Sequence, residues 1–245
     1  MLENMQSRRG LLRVASAGAL AAVAGSRVGS RTLAQSRFPG RMRVLHASPD
    51  LGKVEVLFND DEVLDEFQYG QVSDWVDLDP GLVRVIVRRD RLFINDVVFD
   101  ALYTVVADEH VNLIISDPLL IPAPVDRAPL PADSARVSVI QASIDTPPVD
   151  VALEGGNVVI AALDYGQQSV LLEVQVGSYD IEFRVHETGE LLVEAVETVL
   201  EAGVVYDMVM HGIPGDVETP QTVTILTDQV RVVPLDAIPV ATPAG

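Results

Sequence analysis

A chain of 245 residues, 48% hydrophobic and 22% charged, is long enough for one large or two ordinary domains and too apolar to be disordered or fibrous. Its 36 acidic residues against 17 Lys plus Arg, a formal charge of −19, set most of its surface against a polyanion, which argues against nucleic acid as a partner. With no Cys there are no disulfides, thiolate metal sites, Cys nucleophile or cysteine-linked lipid, and the fold rests on packing alone.

Residues 1–34 read as an export signal. They hold five Arg and one acid, whereas the remainder holds twelve basic and thirty-five acidic residues. Ser7-Arg8-Arg9-Gly10-Leu11-Leu12-Arg13 runs into the small, apolar stretch Val14 to Ala24, too short and too rich in Ala and Gly to span a bilayer permanently. The pair Arg8 and Arg9, followed by two leucines, resembles the twin-arginine export motif and implies the twin-arginine machinery as a partner. Cleavage is expected after Ala34, with Ala24 as the competing position. No later apolar run reaches about 18 residues, so no stable membrane insertion is expected, and the protein is placed in the periplasm, on the cell surface or outside the cell.

Along the rest of the chain the dominant period is two. Val54, Val56 and Phe58 alternate with Glu55, Leu57 and Asn59, and Val83, Val85 and Val87 with Arg84, Ile86 and Arg88. Further on, Val149, Val151 and Leu153 alternate with Asp150, Ala152 and Glu154, and Tyr179, Ile181, Phe183 and Val185 with Asp180, Glu182, Arg184 and His186. These are strands with one buried face. Turn signals at Asn59-Asp60-Asp61, Asp79-Pro80-Gly81, Gly155-Gly156-Asn157, Glu187-Thr188-Gly189 and Ala202-Gly203 recur roughly every ten residues, the rhythm of an antiparallel sandwich or barrel. Leu191 to Leu200 also fits a helical face, but the matching Leu92 to Phe99 is rich in β-branched and aromatic residues, so both are read as strands. The prolines clustered from Pro118 to Pro131 exclude helix and central strand and leave an edge segment or a stiff linker.

The chain also matches itself at an offset of about 95 residues. Val44-Leu45-His46-Ala47-Ser48-Pro49-Asp50 lies over Val139-Ile140-Gln141-Ala142-Ser143-Ile144-Asp145, and Tyr69-Gly70-Gln71-Val72-Ser73 over Tyr165-Gly166-Gln167-Gln168-Ser169. The expected organisation is a first β-sandwich at 35–117, a proline-rich linker or edge segment at 118–134, a second sandwich at 135–235 and a flexible tail at 236–245. The fold class is all-β, two tandem antiparallel sandwiches of Ig-like or Greek-key type, each expected to unfold on its own.

His46-Ala47-Ser48-Pro49-Asp50, Val54-Glu55-Val56, Tyr69-Gly70-Gln71-Val72-Ser73-Asp74 and the Asp79-Pro80-Gly81 turn resemble the bacterial domain-of-unknown-function family 4397. The resemblance covers about residues 41–117 and 135–228, sharply in the first copy and more loosely in the second, where Gln141 replaces the histidine and Ile144 the proline. It implies a compact, exported, often tandem β-sandwich, and no activity.

Candidate ligand-binding residues are His46, Ser48, Asp50 and Trp75. His46 offers a base or metal ligand, with Ser48 on the same side of the strand; the alternative is that the three residues lock a strand end, Asp50 accepting backbone N–H bonds in the turn. Trp75 becomes a stacking platform if it is exposed. The recurrent Tyr-Gly-Gln is read as a buried ring at the end of the sandwich followed by a glycine with positive φ. No G-x-S-x-G, H-x-H or H-E-x-x-H occurs, and the acidic runs at Asn59 to Glu62 and Asp74 to Asp79 lack EF-hand spacing, so no catalytic residue, metal or cofactor is assigned. The expected function is an exported, non-catalytic binding or adhesion module that meets a cell-envelope polymer or protein. The alternatives are a structural envelope component and a secreted hydrolase with an inter-domain site.

Overall fold

The computed structural model describes residues 38–89, 96–153 and 156–234. The export signal with Arg8 and Arg9 and the tail at 236–245 lie outside the described residues. Within Gln35–Gly245, which form one compact unit, an eight-strand pattern occurs twice among the described residues. The first copy runs β1 (Gly40–His46), β2 (Val54–Phe58), β3 (Asp61–Phe67), β4 (Val76–Leu78), β5 (Gly81–Arg89), β6 (Asp96–Val105), β7 (His110–Ser116) and β8 (Leu119–Val125). After the short β9 (Leu130–Pro131) the second copy runs β10 (Ser134–Gln141), β11 (Val149–Leu153), β12 (Asn157–Leu163), β13 (Leu172–Gln175), β14 (Gly177–Val185), β15 (Leu191–Leu200), β16 (Val204–His211) and β17 (Thr222–Gln229). A final β18 (Val232–Val233) pairs with β9.

Each copy is a sandwich of an inner and an outer sheet. The inner sheets have the orders β4-β1-β7-β8 and β13-β10-β16-β17, and the outer sheets β3-β2-β5-β6 and β12-β11-β14-β15, so every strand of the second copy takes the place of its counterpart. The fold is therefore all-β and duplicated. Leu191–Leu200 is strand, paired with β14. The acidic Asn59-Asp60 pair is a tight hairpin turn with both residues at positive φ, linking β2 and β3. Among the described residues, no helix is long and apolar enough to cross a membrane.

The structure adds one pairing that period-two patterning does not reveal. In each inner sheet the central strands, β1 with β7 and β10 with β16, run parallel. A parallel pair needs a crossover, and the intervening strands β2 to β6 or β11 to β15 supply it. Parallel central strands are commonly covered on both faces, and β7 and β16 are buried along their whole length.

That double burial shows where the copies meet. Met42, Val44, Val111, Leu113 and Ile115 point into the first sandwich with Val54, Val56, Val85 and Val87. Val137, Val139, Met208 and Met210 do the same in the second with Val149, Val151 and Phe183. The alternate positions Leu45, Ala47, Ile114, Ile121 and Ala123 form a third apolar cluster with Ile140, Ala142, Val209 and Leu226 of the other copy. The two inner sheets thus lie back to back across a seam with an apolar centre. Of the proline-rich segment, residues 119–125 form the edge strand β8, with Pro122 and Pro124 exposed and Ile121, Ala123 and Val125 buried.

Candidate functional site

His46 is wholly buried, at 0% exposure, with both nitrogens engaged: Nε2–H donates to the Gly52 carbonyl at 2.8 Å, and Nδ1 accepts from Ser48 N–H at 3.3 Å. Gln141 repeats the second contact, its Oε1 accepting from Ser143 N–H at 2.6 Å. Ser48 Oγ accepts from Asp117 N–H at 3.2 Å, while Ser143 Oγ donates to the Gly212 carbonyl at 2.8 Å, so both hydroxyls tie the strand end to the loop after β7 or β16. Burial lowers the His46 pKa and keeps the ring neutral. Asp50 corrects the expectation that its carboxylate closes the turn. Its side chain is exposed in a short 3-10 turn, Pro49–Leu51, and accepts no hydrogen bond from the described residues; the closing contacts are Leu51 N–H to the Ser48 carbonyl and Gly52 N–H to that of Pro49. His46 and Ser48 are buried, whereas Asp50 is exposed.

The recurrent Tyr-Gly-Gln is resolved atom by atom. Gly70 and Gly166 take φ of 80° and 81°, and their N–H groups donate to the carbonyls of His46 and Gln141. The Gln71 and Gln167 side-chain oxygens accept the amides of Gln68 and Asp164, closing each turn. Both tyrosines are half-buried and reach across the seam: Tyr69 shares a hydrogen bond with His211 Nδ1 at 2.9 Å, and Tyr165 bonds the Ser116 hydroxyl at 2.9 Å and carbonyl at 2.8 Å. They clasp the opposite copy, where the sequence reading plugged their own sandwich.

Trp75 is half-buried and already packed against two side chains. The Arg43 guanidinium lies 4.4 Å from its ring centre on one side, and His110 packs at 4.8 Å between centroids. It is therefore a packed ring beside a cleft rather than an open platform. From Arg43 a polar chain crosses the seam. Its Nε donates to Asn112 Oδ1 at 2.6 Å, Asn112 Nδ2 donates to Asp207 at 2.5 Å, Ser138 donates to the other Asp207 oxygen at 2.5 Å, and Gln168 donates to Ser138. Burial raises the Asp207 pKa, opposed by the Ser138 and Asn112 hydrogen bonds and by Arg43.

At the start of β1 and β7 the seam opens into a polar cleft of about 310 Å³ lined by Phe38, Pro39, Arg41, Asp108, His110 and Arg127. His110 Nδ1–H donates to Asp228 of the other copy at 2.6 Å. Arg127 Nε approaches the same carboxylate at 3.3 Å without hydrogen-bond alignment, and its Nη1 reaches Asp108. Arg41 holds Asp77 through Nε at 2.8 Å. Burial and the neighbouring arginines lower the His110 pKa more than Asp228 raises it, leaving a neutral, oriented imidazole beside two fixed cations. Such a constellation can grip a carboxylate or a row of carbonyl oxygens. Of the residues singled out in the sequence, only Trp75 lies near this cleft. Arg41, His110 and Arg127 come from three separate strands or loops, with Asp228 of the other copy bonded to His110, and the single available signal was two arginines in an acidic chain.

The chain matches the model of a family described as Domain of unknown function (DUF4397) twice, over residues 40–152 and 135–240. None of the curated proteins matches it. Among solved structures it resembles a carbohydrate-binding module of family 26 from Eubacterium rectale Amy13K, in complex with maltoheptaose, at 14% identity and a TM-score of 0.27 over 75% of this chain and 96% of that one. A likeness of that size bears on no ligand.

Proposed function

Because the chain belongs to the DUF4397 family, which is defined without an activity, we propose from the cleft itself that this protein is an exported, non-catalytic binding module. The observation that carries the proposal is the meeting of Arg41, His110 and Arg127 around one opening, in a protein whose net charge is −19. Two arginines gathered against that overall charge, though each is also paired with an acid, favour with the neutral His110 a ligand rich in carbonyl or carboxylate oxygens, such as a cell-envelope polymer or protein. The seam holds the site, since His110 of the lining is bonded to Asp228 of the other copy and the copies cannot pivot without opening an apolar cluster.

Trp75, the one tryptophan, packs on His110 and reports on the cleft by its fluorescence. Titrating the full chain with envelope glycans, acidic oligopeptides and simple carboxylates should give a saturable change with at least one class. Arg41→Ala should weaken that change about tenfold or more. A flat response to every class would overturn the proposal in favour of a structural envelope component. For export, the double variant Arg8→Lys with Arg9→Lys should retain the protein in the cytoplasm, and undiminished export would remove the twin-arginine route.

A further inference from the structure

The duplication places the cleft beside a filled version of itself. Arg41 of β1 and Arg136 of β10 are counterparts, and each pairs with an acid on the neighbouring edge strand, Asp77 at 2.8 Å and Glu173 at 2.9 Å. Beyond that shared ion pair they differ. In the second copy the chain leading into β10 passes over the arginine, and Arg136 Nη1 donates to the carbonyls of Asp126 at 3.0 Å and Ala128 at 3.1 Å, with the Asp126 carboxylate at 3.3 Å. The Arg136 side chain is 5% exposed and that of Arg41 45%.

A second lining position follows the same pattern. Asp108, at φ 61°, is the counterpart of Gly203, at φ 74°. Gly203 is covered by the segment ending in β18: its carbonyl accepts from Val230 N–H, and a Cβ there would meet Val232. At the third position the copies agree: His110, 6% exposed, is the counterpart of Val205, 0% exposed, and both are buried. Where the second copy is closed by its own extended chain, the first presents, among the described residues, an open cleft with the same arginine anchor; the counterparts of residues 126–128, residues 31–33, lie outside the described residues.

We infer that the cleft takes an extended polypeptide segment carrying an acidic side chain, held by Arg41 as the second copy holds residues 126–128. This rests on the cleft being the binding site and names its ligand class. Two carbonyls on alternate residues meet one guanidinium edge, the adjacent carboxylate adds charge, and Arg127 supplies a second cation in the cleft lining.

The probe is a capped peptide with the sequence of residues 125–132, titrated into the full chain and read by Trp75 fluorescence. A saturable change is expected, weakened about tenfold or more by Arg41→Ala and by replacing the peptide's aspartate with alanine, and unchanged by Arg84→Ala on the outer sheet. Arg41 is solvent-exposed, and a melting curve confirms that its variant folds. Peptide binding that ignores Arg41→Ala overturns the inference. So does a silent peptide alongside an Arg41-dependent response to maltoheptaose or acetate, in which case the cleft remains a site with a different ligand. Silence from all three probes overturns the site as well.

Discussion

His46 and Gln141 stand at the same place in the two copies and accept the same backbone N–H, from Ser48 and Ser143. The histidine adds one bond, to Gly52, whereas Gln141 Nε2 is buried without a partner. His46→Gln is therefore expected to cost about 1 kcal/mol, seen as a small drop in melting temperature. Asp50→Ala should stay within about 0.5 kcal/mol, because the exposed carboxylate accepts nothing; a loss of several kcal/mol would restore it to the turn. His211 behaves differently. Burial first, and the nearby His46 ring second, pull its pKa down to about 4 from 6.5. The unfolded chain then binds a proton between those values that the folded chain refuses, so this contribution is present above pH 6.5 and is lost as pH falls toward 4. It amounts to roughly 3 kcal/mol, and His211→Gln should flatten the fall in melting temperature between pH 7 and 4. The sequence made the His/Gln exchange visible. It could not show His211 beside Tyr69, since 142 residues separate them.

The strands themselves were legible, because alternation and turn residues are local and a strand with one buried face needs nothing else. The inner strands were not fully legible. Residues 204–211 are buried on both sides, so no alternation marks which side chains face the other copy. Asp207 shows the consequence: it sits in an apolar run as a charge with no sequence partner, and its partners are Asn112 and Ser138, 95 and 69 residues away. Asp207→Ala would strand the Arg43 charge and two buried donors, at a cost of about 3 to 5 kcal/mol in denaturant unfolding, whereas Asp207→Asn should cost less by keeping acceptor capacity. The arrangement of the cleft was likewise hidden, because its two arginines and its histidine come from β1, the segment after β8 and β7.

Two copies with separate cores suggest separate unfolding, but the third cluster joins them. Val56→Asp strikes the first core and Val151→Asp the second, while Ile140→Asp strikes the shared seam. The wild type should melt in one transition, and the seam variant should lower it by on the order of 10 °C for the whole molecule. Two separated transitions in the wild type would show that the seam transmits little. The seam also has a bearing on synthesis. Leu45, Ala47, Ile114, Ile121 and Ala123 leave the ribosome well before Val209 and Leu226, which cover them. During that interval the nascent first copy carries a flat apolar face that matches a pseudo-symmetric mate. A chain stopped after Val125 should consequently dimerise through it, detectable by sedimentation, and duplication within one chain gives each newborn molecule its own mate before it meets a stranger's.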